Sequence, residues 1–270
     1  MKIASFNVNS IRTRMDLVCE YLRTESPDIL GLQETKVIDP DFPIEPLADL
    51  GYEVNFFGQK GYHGVAMLSR TEPDFIQKGF VTDTEEDQKR LILGRFTTDD
   101  GKNLVVINGY FPQGENRSHA TKFPAKQKFY ADLMTLLGEY SPEDRLLVMG
   151  DFNIAPTDLD IGIDPKNAKR WLSSGKCSFL PEEREWIGRM ADWGLVDSFR
   201  EKNPEVSDMY SWFDYRSGGY PERGLRIDQI WVTEPLMETV TAVGIDYHLR
   251  EQERPSDHCV IYSDFNLSLK

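Results

Sequence analysis

The chain has 270 residues, enough for one large domain or two ordinary ones, and 40% hydrophobic with 28% charged content argues for a globular protein with a substantial core. A net charge of −14 excludes a protein that coats nucleic acid through an overall basic surface, so any phosphate contact has to be local. No apolar run nears the ~20 residues of a membrane helix, the start Met1–Asn7 lacks a signal-like apolar stretch, and Cys19, Cys177 and Cys259 are too scattered for a disulfide framework or a zinc cluster. The expectation is a cytoplasmic protein with no membrane partner.

In chain order, strand-length apolar runs fall at Ile3–Val8, Ile29–Leu32, Val54–Phe57, Val65–Leu68, Leu91–Phe96, Leu104–Asn108, Leu146–Met149, Ile227–Val232 and Cys259–Phe265. Helical periodicity marks Arg12–Arg23, Pro124–Leu137 and Pro181–Trp193, the last with proline in its first turn. No Pro/Gly/Ser-rich linker divides the chain, so a single domain spanning 1–270 is expected. Strands this apolar need cover on both faces, which two sheets packed face to face with helices outside would provide.

Polar residues gather where these strands end. Ile3–Phe6 runs into Asn7-Val8-Asn9, Ile29–Leu32 into Gln33-Glu34-Thr35, Val105–Asn108 into Gly109-Tyr110, and Leu146–Met149 into Gly150-Asp151-Phe152-Asn153. Each has an ordinary reading by itself: Glu34 as a helix-capping acid, Asp151 and Asn153 as turn residues, Ser256-Asp257-His258 as a polar strand entry. Together they supply hard oxygen ligands without thiolates, which suits Mg²⁺ or Mn²⁺ and disfavours zinc. His258 has Asp257 beside it and Asp228 as a further acid able to orient its ring, which general acid–base chemistry needs; His63, His119 and His248 lack such company and are read as noncatalytic. Asp151, with an ordinary carboxyl pKa near 3.9, is expected to be ionised. Candidate phosphate-binding clusters are Arg12/Arg14, Lys122/Lys126/Lys128, Lys166/Lys169/Arg170 and Arg216/Arg223/Arg226, each of which can equally be a solvated face.

The motifs Gly31-Leu32-Gln33-Glu34-Thr35-Lys36, Gly109-Tyr110-Phe111-Pro112-Gln113-Gly114, Gly150-Asp151-Phe152-Asn153-Ile154-Ala155-Pro156-Thr157-Asp158 and Pro255-Ser256-Asp257-His258 resemble the endonuclease/exonuclease/phosphatase superfamily. With Lys176–Trp186, Ser211–Arg216 and Arg223–Asp228, the resemblance narrows to its abasic-site endonucleases and runs from Met1 to about Phe265. It implies a four-layer α/β sandwich, two packed mixed β-sheets flanked by helices, with the site on one rim. It implies Mg²⁺ as cofactor, with Mn²⁺ able to substitute. The ligand set would be Glu34 as principal ligand, Asn7 and Asp257 nearby, and Asp151 and Asn153 in reach. Asp151 would handle the proton of the attacking water, Asn153 and Tyr110 would contact the scissile phosphate, and His258 would pair with Asp228.

The same resemblance makes the substrate double-stranded DNA with abasic sites or blocked 3′ ends, and the protein a monomer. Trp212 and Leu225 match the family's pocket for a sugar without its base, and Gln113 or Arg216 would touch phosphate or the duplex interior. Asn9 stands where animal relatives carry Asp, which weakens the case for a second tightly held metal. Three rivals share parts of this pattern. A phosphatase acting on phosphoinositides would have the same core but not segment 211–228; a secreted nonspecific nuclease would be expected to carry a signal peptide and disulfides; a noncatalytic DNA-binding relative would not keep every reactive position filled.

Overall fold

A computed structural model describes residues 1–215 and 219–270. Its elements are β1 (Lys2–Asn7), α1 (Ile11–Thr24), β2 (Ile29–Gln33), α2 (Glu45–Ala48), β3 (Glu53–Phe57), β4 (Val65–Ser69), β5 (Phe75–Lys78), β6 (Leu91–Thr97), β7 (Asn103–Tyr110), α3 (Lys122–Leu137), β8 (Arg145–Asp151), α4 (Pro165–Ser174), α5 (Pro181–Trp193), β9 (Leu195–Asp197), α6 (Ser198–Lys202), β10 (Asp228–Thr233), α7 (Glu234–Met237), β11 (Val240–Asp246) and β12 (Val260–Phe265). They form two six-stranded sheets, ordered β11-β12-β1-β2-β4-β3 and β5-β6-β7-β8-β10-β9. The two share one plan: a central parallel pair, β1 with β2 and β7 with β8, and antiparallel neighbours on either side. A parallel pair needs a crossover, and α1 and α3 supply the two.

Alternation along each strand builds the layers. Ile3, Ile29 and Met67 meet Ile92, Val106, Met149 and Ile230 between the sheets, while the residues one step away, such as Ala4, Phe6, Leu30 and Leu32, turn outward under α1. On the opposite outer face Leu93, Ile107, Leu146 and Val148 take Phe129, Leu133 and Leu136 of α3 and Trp186 and Met190 of α5. With both faces covered, truncating a buried leucine such as Leu133 to alanine is expected to cost about 2–5 kcal/mol.

One polar bridge crosses the apolar seam near the rim. Asn108 of β7 donates to the carbonyls of Leu32 (3.1 Å) and Ala66 (2.9 Å) in the other sheet and accepts from Gln33 Nε2 at 2.6 Å. Gly31 permits this approach, since a Cβ there would lie 2.7 Å from Asn108 Oδ1. Groups satisfied across the seam fix how the sheets sit against each other where the site begins.

All nine apolar runs and all three periodic segments became strands and helices. The unforeseen strands have weak signals for physical reasons: β5 and β11 are partly exposed edges, and β9 is three residues long. Helix α4 escaped because its inward face is short: Ala168 and Trp171 pack half-buried against the cluster around Phe179 and Leu225, and no residue of the helix is fully buried.

Candidate active site

The ends of the parallel pairs deliver the floor. Asn7 closes β1 opposite Gln33, so Glu34 emerges beside it at the first sheet's rim. In the second sheet the register sets Tyr110 against Asp151 and Asp151 against Asp228. His258, just before β12, bridges to Trp212, which also bridges to Leu225. Glu34 (φ 52°) and Asn153 (φ 53°) hold left-handed backbone, sparsely populated without glycine and easier for Asn than for Glu; such strain concentrates where geometry serves function.

A cleft of about 490 Å³ opens above this floor. Glu34, Tyr110, Asp151, Asn153, Asp257 and His258 line it, with Gln113, Trp212 and Leu225 toward its walls. Asn7 and Asp228 lie buried beneath. Arg216 lies outside the described residues.

The floor is a hydrogen-bonded cluster. Asn7 Nδ2 donates to Glu34 Oε1 (3.1 Å) and Asp151 Oδ2 (2.9 Å); Asn153 Nδ2 donates to Asp151 Oδ2 (3.1 Å) and to the Phe111 carbonyl (3.0 Å). His258 Nδ1 meets Asp228 Oδ2 at 2.9 Å, leaving Nε2 facing Asp151 Oδ2 at 3.9 Å. Burial works against charge on this ring, but the Asp228 and Asp151 carboxylates prevail and push its pKa up to about 10, so it is a cation at neutral pH. Burial also works against the Glu34 carboxylate, yet the Lys36 ammonium at 2.8 Å holds it below its ordinary value.

Asp151 departs from the sequence expectation. Burial, helped by Asp228 and Glu34, outweighs the attraction of His258 and the Asn7 hydrogen bond and lifts its carboxyl far above the ordinary range, to about 7. A negatively charged neighbourhood of this kind is relieved by a cation. Among the described residues, Glu34, Asp151 and His258 bring one ligand atom each to within 4.8 Å of one another. The donor set fits a hard divalent ion through the two carboxylates, with the histidine ring already committed to Asp228.

Two other expected ligands are engaged elsewhere. The Asn7 oxygen accepts from the Asn9 backbone at 3.0 Å, and the Asp257 oxygens accept from Asn9 Nδ2 (2.9 Å) and Trp212 Nε1 (3.1 Å). Asn9 uses both ends of its amide, since its oxygen takes Lys36 Nζ at 2.5 Å; an aspartate there would set two carboxylates face to face.

Several contributors were not singled out from sequence. Lys36, inside the Gln33–Lys36 motif, neutralises Glu34. Arg90 lays its guanidinium over the Tyr110 ring, 4.5 Å from its centroid, and donates to the Tyr110 carbonyl. Lys126, from a cluster that was a candidate for phosphate or a solvated face, is neither exposed nor free: it donates to the carbonyls of Asn153 (2.8 Å) and Gln113 (3.3 Å) and pairs with Glu183 at 2.5 Å. Arg226, from another such cluster, is buried between Asp160 and Asp197, both at 2.6 Å. Lysine and arginine read as surface residues until buried acids are placed beside them, and the three acids, Glu183, Asp160 and Asp197, lie 57, 66 and 29 positions away.

A sandwich of two mixed sheets whose rim gathers carboxylates, amides and a histidine defines a class of phosphoester hydrolases. The sequence profile of the Endonuclease/Exonuclease/phosphatase family matches residues 4–258, and the chain belongs to that family. It is 53% identical over 267 residues to exodeoxyribonuclease III of Haemophilus influenzae, covering 98% of this chain and all of that one. Among solved structures it is similar to a 3′ phosphatase from Neisseria bound to a product DNA hairpin (TM-score 0.89, 35% identity, 98% and 99% of the two chains). An AP endonuclease from Archaeoglobus fulgidus also matches at TM-score 0.89, with 34% identity and the same coverage of the two chains.

Proposed function

We propose that this chain is a Mg²⁺-dependent DNA-repair hydrolase, a single catalytic domain acting as a cytoplasmic monomer, that cuts phosphodiester bonds 5′ to abasic sites and trims or dephosphorylates 3′ ends. The observation that carries this reading is the joining of the Glu34–Asp151–His258 cluster, at the cleft floor, to a wall made of Trp212 and Leu225. Its relatives are named as an exodeoxyribonuclease, a 3′ phosphatase and an AP endonuclease.

Glu34, with Asp151 beside it, would hold the ion, which supplies charge neutralisation at the scissile phosphate; Mn²⁺ offers the same hard-cation chemistry. Asp151 accepts the proton of the attacking water, and an acidity near neutral suits a base working near neutral pH. His258, kept cationic by Asp228, faces the oxygens on which negative charge grows. Asn153 and Tyr110 contact the phosphate from the side. A sugar without its base leaves the stack at low cost and fits the Trp212–Leu225 wall, which an intact nucleotide would overfill.

The test is a labelled duplex with one abasic analogue, run beside an undamaged duplex and an inositol phosphate, each with Mg²⁺ and with chelator. Abasic cleavage that stops with chelator is expected. Preferred hydrolysis of the inositol phosphate, or cleavage indifferent to chelator, overturns the reading.

A further inference from the structure

On an acidic protein the cations left without acidic partners mark where negative charge is to be received. Several exposed basic side chains elsewhere are neutralised: Arg12 by Asp41, Lys122 by Glu115, Lys128 by Asp132 and Arg117 by Glu182. Helix α4 is different. Lys166, Lys169 and Arg170 are exposed, none has a recorded partner among the described residues, and the helix contains no Asp or Glu. The nearest acid in sequence, Asp164, is occupied as the N-cap, accepting from the backbone of Lys166 and Asn167.

Positions 166, 169 and 170 share one helical face, over about 6 Å of axis. This face is held in place although α4 buries no residue: Pro165 starts the helix, Gly175 ends it in the left-handed conformation, and Trp171 stacks on Phe179 with ring centroids 5.7 Å apart. Lys176 Nζ sits 3.4 Å from the Trp171 centroid on the cleft side. Arg170, Trp171 and Lys176 line a hollow of about 230 Å³ that shares Trp171, Lys176, Trp212 and Asp214 with the catalytic cleft. Of the three, Arg170 reaches this hollow, whose lining also carries Asp164 and Asp214, and through Arg170 the basic face borders the cleft rim.

We infer that the Lys166–Lys169–Arg170 face of α4 is a docking strip for the backbone phosphates of duplex DNA flanking the cleaved bond, which rests on the DNA-hydrolase reading above. The strip holds the flank by charge and carries no sequence preference. It also explains how a chain of net charge −14 grips a polyanion: the attraction is confined to one rim, and acids elsewhere repel DNA docked in any other orientation.

The test measures binding of a long abasic duplex in chelator across a salt series, for the wild type and for K166Q/K169Q/R170Q. Losing three phosphate contacts should make the log–log salt slope shallower by roughly 2.7, at about 0.9 per contact. The control R23Q/K102Q/K202Q removes three cations outside the cleft lining and should leave the slope unchanged. Trimming the duplex one flank at a time should erase the difference between wild type and α4 variant for one flank alone. An unchanged slope in the α4 variant, or an equal loss in the control, overturns the inference. If the triple variant fails to fold, K169Q and R170Q are each expected to lower the slope by about one. Mg²⁺-dependent abasic cleavage by the wild type, run alongside, separates the two failures: without it the functional reading falls, whereas with it and an unchanged slope only the docking strip falls.

Discussion

Two kinds of buried charge occupy this fold, and they are balanced differently. Away from the cleft floor the accounts close: Lys126 meets Glu183, while Arg226 and Arg200 meet Asp160 and Asp197. On the floor, the cations that face Glu34, Asp151, Asp228 and Asp257 among the described residues are His258 and Lys36, with Arg90 one ring further out behind Tyr110. Desolvating a charge costs several kcal/mol even when it is paired, so a surplus of buried carboxylates is relieved by taking up a proton, as the raised Asp151 carboxyl does, or by a cation from outside the chain. Closed networks hold segments in place; the open one leaves two carboxylates and a histidine able to hold a cation.

The largest break in that contrast is expected at His258. His258→Asn removes the cation facing the phosphate while leaving a polar side chain, and turnover on abasic DNA should fall by about 10²–10⁴. DNA affinity in chelator should change far less, because the docking charges lie elsewhere. Equal losses in turnover and affinity would remove His258 from the chemistry. A closed network should fail in the opposite manner. Lys126→Met leaves the Glu183 carboxylate buried without its cation, held by the Leu180 N–H at 2.8 Å, and urea unfolding should report a loss of about 3–5 kcal/mol. Adding Glu183→Leu should restore most of that stability, since replacing both members of a buried pair by apolar groups is often neutral. If the double variant stays as unstable as the single one, the pair is more than a structural clamp.

The same division decides what could be read from the sequence. The strand cores are continuous apolar runs, and polar residues at their ends, such as Glu34, Asp151 and His258, are visible as interruptions; the four-layer sandwich and the convergence at one rim followed from these. The closed networks were illegible. Asp160 and Arg226 are 66 positions apart, Lys126 and Glu183 are 57 apart, and nothing local distinguishes a lysine bound for a buried acid from one bound for solvent. The upward shift at Asp151 was illegible for a related reason: the ordinary value describes an isolated carboxyl, and burial with two like charges is a property of the assembled rim. Helix α4 hid because Ala168 and Trp171 are too few inward residues to make an apolar period stand out.

The smallest effect concerns a histidine that the sequence set aside. His63 packs beside the cleft-lining Tyr110, its ring 6.0 Å away, and its environment pushes the opposite way from that of His258. Burial, aided by the Arg90 guanidinium, lowers its pKa to about 4, and its buried Nδ1 has no recorded partner, so a proton there would be an unpaired donor. The unfolded chain binds that proton near pH 6.5. His63 therefore contributes stability that is present in full above about 6.5 and is lost as pH falls toward 4. For His258, with its value raised, the contribution is complete below about 6.5 and is lost only as pH rises through about 10. Metal-free wild type should thus lose unfolding free energy between pH 6.5 and 4 more steeply than His63→Gln does. The difference should stay below the ~1.4 kcal/mol per pH unit of one fully released proton, because solvent reaches the half-buried ring. Parallel pH profiles for the two proteins would mean that His63 titrates normally, and that the contrast between the two histidines does not come from their surroundings.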